Sequence, residues 1–184
     1  MSTSAPPLPS PRLGEPYLLT PGPLTTAYEV KEAMLRDWGS WDADFRAMTK
    51  SLCDQLVALA GDTRGEFACV PLQGSGSYCV EAMLGSFVPP GGKVLVLANG
   101  AYGLRAAETM KYLGRAFTLI DKGDYMPPRG DEVAAALDAD PAITHVIAIH
   151  CETSSGILNP VAEISEAVHA RGRKLLIDSM SAFG

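Results

Sequence analysis

Pro71-Leu72-Gln73-Gly74-Ser75-Gly76-Ser77-Tyr78-Cys79-Val80-Glu81-Ala82-Met83-Leu84 is the stretch whose reading decides the fold. A short apolar run, Phe67-Ala68-Cys69-Val70, stops at a proline just before it. Cys79, Val80, Met83, Leu84 and Phe87 then recur at helical spacing, so a helix with one buried face is predicted to begin at the turn. A strand, a glycine turn and a helix N-terminus in succession outline an anion site. The first backbone N–H groups of a helix have no internal acceptor, and the helix dipole adds partial positive charge there. The glycines let backbone approach a ligand closely, and Ser75 and Ser77 add hydroxyl donors. The plainer reading is a serine-capped helix after a tight turn. On this stretch alone the two readings stand side by side.

Two common phosphate motifs do not fit. Gly74-x-Gly76-x-x-Cys79 approaches the dinucleotide fingerprint, but its third small position is Cys, and no acidic residue falls about 20 residues on, where a ribose partner belongs. The nearest candidate, Glu108, lies too far along and inside a predicted helix. A P-loop needs Gly-Lys-Ser/Thr, whereas Gly92-Lys93 is followed by Val94. A phosphate bound here would belong to another cofactor.

Composition narrows the class. The chain has 184 residues, 47% hydrophobic and 20% charged, the profile of a globular domain with a substantial core. Its formal net charge is −6 with no basic run, which argues against nucleic acid as a partner. No apolar stretch is long enough to span a bilayer as a helix. Cys53, Cys69, Cys79 and Cys151 are scattered without a Cys-x-x-Cys pair. Three lie in apolar segments, so buried free thiols in a reducing cytoplasm are the expectation. No Cys/His spacing resembles a metal site.

Met1 to Pro16 is rich in Pro and Ser and is expected to be a disordered tail. Residues 17–45 are read as an N-terminal arm. It holds an extended Tyr17–Leu24 segment, a short helix over Thr26 to Leu35 and an aromatic connection from Trp38 to Phe45. Arg46 to Ala60 is predicted to be an amphipathic helix with Met48, Leu52, Leu56 and Leu59 as its stripe and Gly61 stopping it. From residue 67 onward the pattern alternates. Strands are predicted at Phe67–Leu72, Val94–Ala98, Ala116–Ile120, His145–His150 and Leu175–Asp178. Helices are predicted at Ser77–Phe87, Leu104–Leu113 and Asp131–Leu137. A last one is capped by Asn159, starts at Pro160 and runs to Arg171. Val94–Ala98 is continuously apolar, the mark of a strand buried on both faces. The expected fold is α/β, a mainly parallel sheet with helices on both faces.

Ligands of such sheets bind beyond the carboxyl ends of the strands. Four motifs collect at that edge: Gly74-Ser75-Gly76-Ser77, Asn99-Gly100-Ala101-Tyr102-Gly103, Cys151-Glu152-Thr153-Ser154-Ser155-Gly156, and Asp178-Ser179. They offer an anion cradle, an aromatic ring, hydroxyls and a carboxylate. No Ser-His-Asp set can be argued, because Ser75 lies in no nucleophile elbow, and His150 is read as packing at a strand end.

Together these motifs resemble the fold-type-I pyridoxal-phosphate enzymes, in the class V aminotransferase group. The Leu18-Leu19-Thr20-Pro21-Gly22-Pro23-Leu24-Thr25-Thr26 opening and the Cys151-to-Pro160 loop are its most specific carriers. Trp41-Asp42-Ala43-Asp44 and Ile177-Asp178-Ser179-Met180-Ser181-Ala182-Phe183-Gly184 add to them. The resemblance implies pyridoxal 5'-phosphate as cofactor. Ser75, Gly76 and Ser77 would hold its phosphate. Tyr102 would stack on its ring and Thr153 would donate to the ring's phenolic oxygen. Asp178, the catalytic carboxylate, would keep the ring nitrogen protonated. The structural alternatives are a capped helix for Ser75, core packing for Tyr102 and a helix cap for Asp178.

The implied reaction passes an amino group from a small-molecule donor, 2-aminoethylphosphonate, to pyruvate in a cytoplasmic homodimer. Alternatives are an alanine/serine–glyoxylate-type class V aminotransferase and a non-catalytic nucleotide-binding module. The resemblance also implies a Schiff-base lysine beyond the Asp178 strand, and the last lysine here is Lys174. Residues 46–184 are therefore read as part of a cofactor-binding large domain of a longer enzyme, inactive as they stand.

Overall fold

The computed structural model describes residues 15–61 and 64–184. The tail expected over Met1–Pro16 lies, up to residue 14, outside the described residues. The chain divides into two compact units, Met1–Pro71 and Leu72–Gly184.

Among the described residues of the first unit two helices form, α1 (Tyr28–Ala33) and α2 (Ala43–Leu59). The turn into α2 is fixed by Asp42, whose carboxylate accepts from Gly39 N–H at 3.0 Å. Arg36 lies 3.7 Å above the Trp38 ring, and Trp38 packs at 6.2 Å from Phe45. Both helices match their expected places. The α2 stripe differs from expectation, since Met48, Leu52 and Leu59 are exposed. Helical periodicity records which residues share a face, not what covers that face.

The second unit holds α3 (Gly76–Phe87), β1 (Lys93–Ala98), α4 (Ala101–Tyr112), β2 (Ala116–Asp121), α5 (Gly130–Ala139), β3 (Ile143–Ile149), β4 (Cys151–Glu152), β5 (Ile157–Leu158), α6 (Val161–His169) and β6 (Lys174–Asp178). Four strands pair in the order β2-β1-β3-β6, all parallel. β4 and β5 form a small antiparallel hairpin.

The central strand shows why helices cover both faces. Successive side chains of a strand point to opposite sides, and Val94–Ala98 is buried throughout. Val94 and Val96 pack with Leu84, Val88, Ala106, Ala107 and Met110 of the α3/α4 layer. Leu95 and Leu97 pack with Val133, Leu137, Ile164 and Val168 of the α5/α6 layer. Each such side chain fully buried stabilises by about 1.5–3 kcal/mol. Two glycines set the spacing. A Cβ on Gly103 would lie 2.5 Å from Ala98 Cα, so α4 rests directly on the β1 backbone. A Cβ on Gly130 would lie 2.9 Å from the Glu163 carbonyl, so α5 and α6 touch backbone to backbone. A two-pronged ion pair, Arg171 Nε and Nη2 to Asp138 at 2.7 and 2.6 Å, ties the end of α6 to α5. The guanidinium holds the Asp138 carboxyl below its usual range.

Three expectations are corrected. Phe67–Leu72 joins neither sheet. Phe67 and Val70 are exposed, and an apolar run becomes a strand only where a neighbour supplies the ladder. Asn159 does not cap α6. The cap position is Pro160, without a side-chain bond, because the Asn159 amide is turned inward. Its Nδ2 donates to the Ile149 carbonyl at 2.8 Å and to Asn99 Oδ1 at 3.0 Å, and Asn99 Nδ2 donates back to Asn159 Oδ1 at 2.8 Å. The four thiols are free, as expected, but none is fully buried, and Cys79 is exposed, since it lies on the outer side of α3. No described helix is long and apolar enough to cross a membrane.

Candidate active site

The segment that follows β6 and the first turns of α4 border the N-terminus of α3. At α3 the backbone turns through Gly74, whose φ of +144° disfavours any side chain. Ser75 then caps the helix, its Oγ accepting from Tyr78 N–H at 3.4 Å. The N–H groups of Gly76 and Ser77 have no acceptor among the described residues, as expected of a first helical turn. A Cβ on Gly76 would sit 2.8 Å from Met180 Cε, so the turn lies against the segment that follows β6.

Arg105, one turn into α4, reaches the same place. Its Nη1 donates to Ser77 Oγ at 3.0 Å, and its guanidinium lies 5.2 Å from the centre of the Tyr102 ring. A cation thus borders the helix N-terminus and leans on the aromatic face. The sequence reading passed over Arg105. The available signal was its spacing, three residues after Tyr102 on the same side of a helix.

Tyr102 sits at the start of α4, a residue 37% exposed. The helix cap, Gly100, has no side chain to offer. Glu152, fully buried at the tip of β4, takes that place instead. Its Oε2 accepts from Tyr102 N–H at 3.2 Å and Gly103 N–H at 3.1 Å. Its Oε1 accepts from Ser154 Oγ at 2.7 Å and Ser154 N–H at 3.3 Å. Ser154 Oγ in turn accepts from Ala101 N–H at 2.9 Å. Glu152 and Asn99 stand in the edge motifs, and the sequence reading gave neither a role. The signal for Glu152 was a single acid at the end of an apolar strand, where burial demands partners.

Thr153, next to Glu152, shares a 2.5 Å hydrogen bond between its Oγ1 and Ser181 Oγ. Asp178 ends β6 half-buried, with Oδ1 accepting from Met180 N–H at 3.0 Å. Its carbonyl accepts from His150 N–H at 2.8 Å, and His150 Nδ1 lies 2.8 Å from Ser179 Oγ. A continuous run of contacts therefore passes from Ser77 through Arg105, Tyr102, Glu152 and the Thr153 loop to Ser181, three residues from Asp178. The arrangement can seat an anion at α3, lay a flat ring against Tyr102 and present a hydroxyl and a carboxylate. No group of His, Cys, Asp and Glu that could hold a metal occurs among the described residues.

Comparison with known proteins gives this edge a lineage. Residues 73–184 match the family model Aminotransferase class-V. The chain is 76% identical over 172 residues to a 2-aminoethylphosphonate–pyruvate transaminase of Rhizobium meliloti, covering 94% of the chain and 45% of that protein. It is 71% identical over 174 residues to a transaminase of the same name from Paraburkholderia xenovorans, covering 95% and 45%. The chain thus spans about half the length of the curated relatives it matches. Among solved structures, pyridoxamine-pyruvate aminotransferase from Mesorhizobium loti superposes with a TM-score of 0.82 at 29% identity, over 95% of this chain and 44% of that one. Alanine–glyoxylate aminotransferase from a Nostoc species superposes with the same score at 26% identity, over 94% and 46%. The parallel sheet, the edge that carries the four motifs and the matched span agree: the chain belongs to the class V aminotransferase family.

Proposed function

We propose that the protein is a pyridoxal-phosphate-dependent aminotransferase that moves the amino group of 2-aminoethylphosphonate to pyruvate, giving phosphonoacetaldehyde and L-alanine in phosphonate degradation. The observation that carries this reading is the 76% identity to a relative of that name across nearly the whole chain.

The site fits the cofactor. The free N–H groups of Gly76 and Ser77, the Ser75 and Ser77 hydroxyls and the Arg105 cation suit a dianionic phosphate. Tyr102 offers a partly exposed ring face for stacking. When bound, the cofactor supplies the electron sink that stabilises the carbanion left as the substrate's α-proton departs. Asp178, half-buried at the end of β6, would hold positive charge on the ring nitrogen. Ser181 can donate to Thr153, which leaves the Thr153 proton free to bond the ring's phenolic oxygen.

Residues 17–45 are an arm and 46–184 part of the cofactor-binding large domain. The protein works in the cytoplasm as a homodimer, with no nucleic-acid or membrane partner. The test is an assay of the protein expressed from its complete coding sequence. Alanine and phosphonoacetaldehyde should accumulate from 2-aminoethylphosphonate and pyruvate. Turnover of alanine or serine with glyoxylate, and none with 2-aminoethylphosphonate, would overturn the substrate assignment. Binding of a nucleotide, and none of pyridoxal phosphate, would overturn the cofactor.

A further inference from the structure

Resting on that reading, we propose that Glu152 is a positioning residue: its buried carboxylate clasps the N-terminus of α4 and so sets the Tyr102 ring and Thr153 at one fixed spacing. Tyr102 and Thr153 come from segments 51 residues apart, and each is to meet the same flat ring, one on its face and one on its edge. Their spacing must therefore be held by something that touches both segments. Glu152 precedes Thr153 directly, and its Oε2 accepts from the N–H of Tyr102 itself at 3.2 Å and of Gly103 at 3.1 Å. Ser154, on the other side of Thr153, binds the carboxylate through its Oγ at 2.7 Å and accepts from Ala101 N–H at 2.9 Å. All three first-turn donors of α4 thus end on the two residues that flank Thr153.

Other features of the fold exist to admit this carboxylate. A Cβ on Gly100 would lie 2.5 Å from both Glu152 Cγ and Ser154 Oγ, so position 100 is empty because the clasp fills it. Gly100 therefore cannot provide the side-chain cap that Ser75 provides for α3. No cation pairs with Glu152 among the described residues. Its charge is met by oriented N–H groups and by the positive end of the helix dipole. Such a bond network has a direction that an amide cannot copy. A glutamine here would place an NH2 against N–H donors on one side or against the Ser154 donors on the other.

The test uses the protein expressed from its complete coding sequence, stripped of cofactor and titrated with pyridoxamine 5'-phosphate, which binds without a covalent bond. The dissociation constant is measured for wild type, Glu152→Gln, Tyr102→Ala and the double variant, with far-ultraviolet circular dichroism checking the fold. Glu152→Gln is expected to weaken binding by roughly tenfold to a hundredfold, the equivalent of one misplaced buried partner. In the Tyr102→Ala background the same change should have far less effect, because its target is already gone. Ser154→Ala, a milder cut in the same clasp, should weaken binding in the same direction and keeps the test usable if Glu152→Gln does not fold. Strictly multiplicative effects in the double variant, or unchanged binding in both clasp variants, would overturn the positioning role while leaving the cofactor assignment standing. A Tyr102→Ala protein that binds as wild type would overturn the ring-stacking assignment and this inference with it.

Discussion

Gly100→Ala isolates the clasp in a single methyl group. The added Cβ would lie 2.5 Å from Glu152 Cγ, 2.5 Å from Ser154 Oγ and 2.7 Å from Glu152 Cδ, against 3.4 Å for ordinary contact. Glu152 must then retreat by nearly 1 Å. Its bonds from Tyr102 and Gly103 already measure 3.2 and 3.1 Å, so that retreat breaks both. Glu152 is fully buried, and water cannot replace what is lost. Hydrogen bonds to a charged group contribute about 1.5–3 kcal/mol each. The loss should total roughly 3–5 kcal/mol, a large part of the ~5–15 kcal/mol that holds a typical domain together. For a chain of this size each kcal/mol shifts the melting temperature by about 2–4 °C, so Tm should fall by on the order of 10 °C. Thermal unfolding followed by circular dichroism measures it. The matched control is Gly85→Ala, inside α3, where the nearest atom to the new Cβ is Leu113 Cδ2 at 3.9 Å, an ordinary contact. That variant should gain about 0.5–1 kcal/mol from the reduced freedom of the unfolded chain. A Gly100→Ala protein that melts within a degree or two of wild type would refute the reasoning, since it would mean the carboxylate can move without consequence.

Further outcomes follow from the same structure. Gly103→Ala should destabilise at least as much as Gly100→Ala, because its Cβ would meet the Ala98 and Leu97 backbone, which cannot swing aside; chemical denaturation compares the two. Asp178→Asn should reduce transaminase turnover by roughly 100-fold or more with little change in Tm, and a variant of near-wild-type activity would remove Asp178 from the chemistry. Burial holds the His145 imidazole below its ordinary 6.5, with the Lys174 charge adding to the effect and a backbone hydrogen bond at Phe87 opposing it. The unfolded chain therefore takes up this proton first as pH falls below about 6.5, so the contribution of His145 is full above that value and is lost as pH drops through the folded one. Denaturation midpoints between pH 7 and 5 should decline more steeply for wild type than for His145→Gln, and equal slopes would exclude the effect.

The sequence by itself determined the layered architecture. Val94 to Ala98 is apolar at every position, so it had to be a strand covered on both faces. The helical spacing of Leu84, Ala106, Met110, Val133, Leu137, Ile164 and Val168 supplied the covers. Ser75, Tyr102, Thr153 and Asp178 could be placed at one edge because parallel strands deliver their carboxyl ends to the same side. These are consequences of short-range periodicity and of topology, and both are written along the chain.

Tertiary structure alone decided the partners. Phe67–Leu72 is as apolar as a strand but belongs to neither sheet, since a strand depends on the ladder a neighbour supplies rather than on composition. Asn159 next to Pro160 has the local form of a helix cap, yet its amide bonds Asn99 and Ile149 because three buried hydrogen bonds outweigh one at the surface. Cys79 lies in an apolar segment and is exposed all the same, because a helix has an outer side whatever its neighbours in sequence. Glu152 could be marked in the sequence as an acid that burial would force to find partners, but not which partners. A carboxylate's meaning comes from the donors it faces, and two of the donors of Glu152, the Tyr102 and Gly103 N–H groups, belong to the first turn of a helix some 50 residues earlier, brought there only when β1 and β3 lie side by side in the sheet.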